Sequence, residues 1–141
     1  MVLDAWAVIA AARAEPAATR VRTEIQKGDA GISWINLGEV SYTLSREFGL
    51  SHAEQVVDAA RRELNCEEPD AELVLAAARI KAAERLSYAD AFAVATAERQ
   101  NAPLLSGDPE IVALARQGLR VVDLRADDPS PPEGTGRTGL G

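Results

Sequence analysis

Short blocks of adjacent apolar residues alternate along the chain with longer stretches whose apolar positions recur at helical spacing. Val2-Leu3 is the first block, and it ends in Asp4. Such a run reads as a buried parallel strand that delivers a carboxylate to the sheet's carboxyl edge, where open α/β folds bind ligands. Ala5 to Ala14 continues as an Ala-rich helix. Pro16 suits the first turn of a second helix reaching about Lys27, and Gly28-Asp29 is a turn signal. Ala30 to Ile35 reads as the second strand, with Ile32, Trp34 and Ile35 as its apolar members. Asn36 then reads as an N-cap, with Glu39 completing a capping-box pattern, and Leu37, Val40, Leu44 and Phe48 form a buried face up to Gly49.

A second capping-box pattern, Ser51 with Glu54, opens a helix to about Leu64. Cys66 to Asp70 reads as a loop, followed by a helix over about Ala71 to Ala83. Ser87 caps a helix running to about Gln100, with Asp90 at its third position. Pro103-Leu104-Leu105 is a short strand. Asp108-Pro109 is an N-cap followed by Pro at the first helical position, opening a helix that ends before Gly118. Leu119 to Leu124 is the last strand. From Ala126 the chain is rich in Pro, Gly and Asp with nothing to bury, so residues 126–141 read as a disordered tail behind one domain over 1–125. Strands alternating with helices imply a three-layer α/β/α fold with a mostly parallel central sheet.

Composition narrows the functions. The chain has 141 residues and a net charge of −7, which counts against a plain electrostatic nucleic-acid binder but not against a metal-dependent nuclease, whose carboxylates are offset by bound cations. Cys66 and His52 are each the sole residue of their kind, which excludes an internal disulfide and makes a Cys/His metal site implausible. No basic region precedes the first apolar stretch and no apolar run reaches the length of a bilayer span, so a cytoplasmic protein without a membrane segment is expected.

The candidate chemistry lies in Asp4, Glu39, Asp90 and Asp108. Singly, each has an ordinary explanation as a cap or a first-turn acid, worth about 0.3–1 kcal/mol. Together they fall where a parallel sheet feeds its helices. Two like charges 4 Å apart cost about 4 kcal/mol at an effective dielectric of 20. A hard divalent cation relieves that repulsion, and an all-oxygen donor set suits Mg²⁺.

Four segments resemble the PIN-domain nucleases, and more narrowly the toxins of bacterial and archaeal VapBC-type toxin–antitoxin pairs. They are Val2-Leu3-Asp4-Ala5-Trp6-Ala7-Val8, Ile35-Asn36-Leu37-Gly38-Glu39-Val40, Leu86-Ser87-Tyr88-Ala89-Asp90-Ala91 and Leu104-Leu105-Ser106-Gly107-Asp108-Pro109. They stand in the family's order, and the resemblance extends over residues 2 to about 124. The resemblance implies that Asp4, Glu39, Asp90 and Asp108 are catalytic acids and metal ligands, supported by the Ser106 hydroxyl. It further implies a Mg²⁺- or Mn²⁺-dependent endoribonuclease toxin that hydrolyses RNA with metal-activated water, forms a homodimer and is held by a small antitoxin. Charge suggests that the antitoxin inhibits by placing an Arg or Lys among the acids. A helical antitoxin segment is also expected to cover an apolar groove, with the space between the helices after Ala5 and Asn36 as one place for it. One departure stands out: the family often carries Ser or Thr just after its first Asp, where this chain has Ala5 and Trp6. That lowers the expected metal affinity or rate.

Two rival functions remain. A phosphorylation-dependent receiver domain needs a Lys after its last active-site strand, whereas Lys27 and Lys81 both lie in predicted helices. A catalytically silent module could use the acidic cleft to hold a basic partner. His52, just after a helix cap, reads as exposed and a poor general base; Cys66, beside Glu67 and Glu68, as a poor thiolate; Trp6 and Trp34 as core; and Arg13, Arg20, Arg22 and Arg46 as either solvated or contacting RNA phosphate.

Overall fold

A computed structural model describes residues 1–114 and 116–127. Its centre is a sheet of five short strands: β1 (Val2–Leu3), β2 (Gly31–Ser33), β3 (Asn65–Glu67), β4 (Leu104–Ser106) and β5 (Val121–Asp123). All pair in parallel, in the order β3-β2-β1-β4-β5. The helices are α1 (Ala5–Ala12), α2 (Ala18–Gln26), α3 (Trp34–Phe48), α4 (Leu50–Glu63), α5 (Ala71–Ala83), α6 (Tyr88–Gln100) and α7 (Pro109–Val112).

Alternation along the central strands builds a core on each face of the sheet. Leu3, Ile32 and Leu105 join Ala7, Leu37, Val40 and Leu44 on one face. Val2 and Leu104 join Leu73, Ala77, Phe92 and Val94 on the other. The result is the three-layer arrangement that the alternating strands and helices imply. The small Ala-rich faces let α6 lie close to the sheet: its residues Ala91 to Ala97 are all buried.

Several boundaries differ from the sequence reading. Strand β2 stops at Ser33, whose Oγ accepts a hydrogen bond from the Ile35 amide and caps α3. Trp34 and Ile35 are therefore helical, and Asn36 is not the cap. Local strand-like alternation loses here to a capping hydroxyl three residues earlier. Glu39 consequently sits in the second turn, and α3 has no acid in its first. Nor does Ser51 cap α4. Gly49, at φ 94°, is both the end of α3 and the N-cap of α4, and its left-handed backbone turns one helix directly into the next. Phe48, expected on the buried face, is 49% exposed at that corner.

The segment read as a loop from Cys66 contains β3, a polar edge strand recognisable only by its pairing with β2. Helix α1 ends two residues early, with Ala14 at φ 54°, and α2 starts after Pro16 rather than on it. Helix α7 is a single turn, and β5 gives way to a 3-10 turn at Leu124–Asp127. The tail expectation otherwise concerns residues 128–141, which lie outside the described residues. Among the described residues no helix is long and apolar enough to cross a membrane.

Candidate active site

The strand order reverses beside β1: the chain steps to β2 and β3 on one side, then returns to β4 and β5 on the other. Ligands of open α/β sheets bind at the carboxyl ends of strands that flank such a switch. Asp4 leaves β1 at this place and Ser106-Gly107-Asp108 leaves β4. Asp4 is 1% exposed. Its Oδ1 accepts the Ala7 amide at 2.9 Å and caps α1, while its Oδ2 accepts a short hydrogen bond from Ser106 Oγ. Ser106 Oγ in turn accepts the Asp108 amide at 3.0 Å. Ser106 thus supplies, from the neighbouring strand, the orienting hydroxyl that Ala5 and Trp6 lack. Asp108 caps α7, its Oδ1 accepting the amides of Glu110 and Ile111 at 2.8 and 3.4 Å.

Helix α6 brings in Asp90. Ser87 Oγ accepts the Asp90 amide at 3.0 Å, which starts the helix and leaves the Asp90 carboxylate in its first turn. Asn36, wholly buried on α3, donates from Nδ2 to Ala89 O at 2.9 Å. This bond ties the turn of α3 just before Glu39 to the residue just before Asp90.

Glu39, Asp90 and Asp108 then line one cavity of about 620 Å³, together with Trp6, Tyr42, Ser87 and Glu110. Asp4 lies beneath it rather than on its wall. Burial pushes the Asp4 carboxyl from 3.8 up to about 7; the charges of Asp90 and Asp108 push the same way, against the hydrogen bonds from Ser106 and Ala7. Burial, followed by the charges of Asp90 and Asp108, also raises Glu39 above the usual carboxylate range. Asp90 is raised first by burial and then by Asp108, with a smaller contribution from Glu110. The four acids named from the sequence therefore share one electrostatic neighbourhood.

Glu110 was not anticipated. Asp90, Asp108 and Glu110 each place a carboxylate oxygen within 4.8 Å of the others. Its position two residues after Asp108, beyond a Pro that fixes the first helical turn, was the available signal. These donors fit a hard divalent cation: all are oxygens, they carry like charge, and no His or Cys lines the cavity.

The Trp6 side of the cavity depends on a glycine. A Cβ at Gly107 would lie 2.3 Å from the Trp6 ring, which packs directly over that turn. Gly107→Ala must displace either the indole or the segment that carries Ser106 and Asp108. A loss of about 1–3 kcal/mol is expected, read as a lower urea midpoint at unchanged m-value.

The remaining sequence candidates, Trp6 and Arg46 apart, stay outside the site. Arg13 pairs with Glu15 and Glu47, Arg20 with Glu24, and Arg22 donates to Ala11 O. Burial raises the Cys66 thiol, against the nearby charge of Arg61, so it is a poor nucleophile. His52 is half-buried against Phe48, not exposed as its place after a cap had suggested. Trp34 is partly buried on the core, with Arg61 over its ring. An apolar hollow of about 270 Å³, lined by Val8, Ala11, Ala12, Ile25, Val56 and Ala60 among others, lies among α1, α2 and α4 rather than between α1 and α3.

Comparison with known proteins agrees with this architecture. No curated protein sequence matches the chain. Among solved structures, a DNA-bound VapBC from Salmonella typhimurium superposes with a TM-score of 0.71 at 19% identity, covering 87% of this chain and 96% of that one. VapBC2 from Rickettsia felis, bound to a promoter DNA fragment, gives 0.69 at 15% identity over 86% and 96%. Mycobacterium tuberculosis VapC20, described as a toxin that cleaves the sarcin-ricin loop, gives 0.65 at 18% identity over 81% and 95%. At these identities the likeness is one of fold. The PIN-domain family model matches residues 1–117, nearly all of the ordered architecture described above, and the chain belongs to the PIN-domain family.

Proposed function

We propose that this PIN domain is a Mg²⁺- or Mn²⁺-dependent endoribonuclease acting as the toxin of a toxin–antitoxin pair. The observation that carries the reading is the meeting of Asp4, Glu39, Asp90 and Asp108 at the sheet's switch point, three of them on one cavity. Asp90, Asp108 and the added Glu110 would hold the ion. When bound, it supplies a Lewis acid for a phosphoryl oxygen and a more acidic water. Glu39, raised above the usual carboxylate range, lines the cavity and would take the proton as a water oxygen bonds to phosphorus and the ester P–O bond breaks, the departing oxygen gaining its proton from solvent. Asp4 acts from below through Ser106, whose hydroxyl links it to the backbone of Asp108.

The partner follows from the same charges. A cation on an antitoxin side chain, placed among the acids, would exclude metal and RNA together. The apolar hollow among α1, α2 and α4 suits the apolar face of a helical antitoxin segment. A homodimer is part of this reading.

The test is RNA cleavage by the purified chain. Cleavage is expected with Mg²⁺ or Mn²⁺ and is expected to stop with chelator, to be restored by excess metal. Undiminished cleavage in excess chelator overturns the metal-dependent reading, and no cleavage under any metal favours a silent binding module.

A further inference from the structure

The cavity has a second chemical character that the acids do not explain. Trp6, Ile9 and Tyr42 line it alongside the carboxylates. Tyr42 is one turn beyond Glu39 on the same side of α3 and is 51% exposed despite its size. One turn further, Arg46 places its guanidinium 5.2 Å from the Tyr42 ring centroid. Glu39, Tyr42, Thr43 and Arg46 thus run as one stripe from the acidic site to the rim.

Arg46 also differs from those arginines whose charge is neutralised. Arg13, Arg99, Arg116 and Arg125 all pair with carboxylates. Among the described residues no carboxylate pairs with Arg46, whose guanidinium lies over the Tyr42 ring instead. On a chain of net charge −7, a polyanion reaching the acids needs a local cation at the entrance. A planar aromatic under that cation suits the other half of a nucleotide: splayed bases stack on aromatic rings and on guanidinium planes. Trp6, packed over Gly107, lines the same cavity.

We propose that Tyr42 and Arg46 form a subsite for single-stranded RNA beside the scissile phosphate, in which a nucleobase stacks on the tyrosine ring and the guanidinium takes a neighbouring phosphate. The proposal rests on the nuclease reading and deepens it: the preferred substrate is RNA with an unpaired nucleotide next to the cut. The stacking is sequence-tolerant, because every base presents a π-face.

The test is steady-state cleavage of a single-stranded oligoribonucleotide containing the wild-type cut site, in Mn²⁺, over a range of salt. Tyr42→Leu is expected to raise KM about tenfold with little change in kcat, and Tyr42→Phe, which keeps the ring, to stay near wild type. Arg46→Gln is expected to raise KM and to flatten the dependence of log KM on log salt by about 0.7, one single-strand phosphate contact. Tyr42→Leu should leave that slope unchanged. An unaltered KM in Tyr42→Leu overturns the subsite, as does Tyr42→Phe being equally impaired, since the hydroxyl rather than the ring would then matter. A Tyr42→Leu chain whose mass in solution falls from dimer to monomer also overturns it, because the ring would then be covered by a second copy. If wild type itself shows no metal-dependent cleavage, the nuclease reading falls and this subsite with it. If wild type cleaves and Tyr42→Leu matches it, only the subsite falls.

Discussion

Asp90→Asn is expected to eliminate metal-dependent RNA cleavage and, at the same time, to raise the melting temperature of the metal-free protein. The two effects share one cause. Asp90 has oxygen atoms within 4.8 Å of those on Asp108 and Glu110. One such pair of charges costs about 3 kcal/mol at an effective dielectric of 20. In its favour, the carboxylate sits in the first turn of α6, where the helix dipole returns up to about 1 kcal/mol. The repulsion is the larger effect. Asparagine keeps the shape and the backbone bond to Ser87 while removing the charge. A gain of about 2 kcal/mol above pH 7 follows, a rise of roughly 5 °C for a chain of this size. Saturating Mn²⁺ should reverse the order of the two proteins, because only wild type retains the full ligand set. The loss of activity should exceed the 10–100-fold typical of removing an outer-shell partner of a metal site. A cap-only role for Asp90 predicts the opposite pair of results: normal cleavage and a lower melting temperature. Calorimetric melts with and without Mn²⁺, alongside the cleavage assay, decide between them.

The uneven legibility of this site has a physical cause. Asp4, Ser87, Asp90, Ser106 and Asp108 could be placed at the sheet edge because strand ends and N-caps are local events, written in adjacent residues. Ser87 and Asp108 do cap α6 and α7. Glu39 was placed there by the same reasoning, as a first-turn acid, and that role fails because Ser33 starts α3 earlier. The consequence is useful to the site, since Glu39 enters the cavity from the side of a helix rather than from its end. Asn36, read as a cap, turns out to cross-link α3 to α6, a contact between residues 53 positions apart that no local pattern encodes. Strand β3 was hidden for a similar reason: Asn65, Cys66 and Glu67 lack strand alternation and are extended because β2 offers them an edge. Glu110 and Tyr42 belong to the site because two separate walls meet there, and only the folded chain brings those walls together.

Asp4→Asn should change how stability depends on pH. Asp4 has a folded value of about 7 against 3.8 for the free side chain, with burial as the main cause. Between those two values the folded protein holds a proton that the unfolded chain has released. The contribution to stability is therefore fully present below about 3.8 and is lost as pH rises through about 7. Over that window the cost of ionising Asp4 inside the fold grows to about 4 kcal/mol. Asparagine at this position stays neutral and can still accept the Ala7 amide through its carbonyl oxygen. Glu39 and Asp90 are also raised and give both proteins a slope of the same sign, so the difference between wild type and variant isolates Asp4. In chelator, Asp4→Asn should be nearly as stable as wild type at pH 4 and clearly more stable at pH 8, with urea melts across that range tracing the divergence. Metal binding should run the other way. The charge of an ion held by Asp90, Asp108 and Glu110 would favour the ionised form of Asp4, so the apparent Mn²⁺ affinity of wild type is expected to fall as pH drops below about 7. Parallel stability curves for the two proteins from pH 4 to 8 would mean that Asp4 is ionised throughout, and that Ser106 and the α1 amide outweigh its burial.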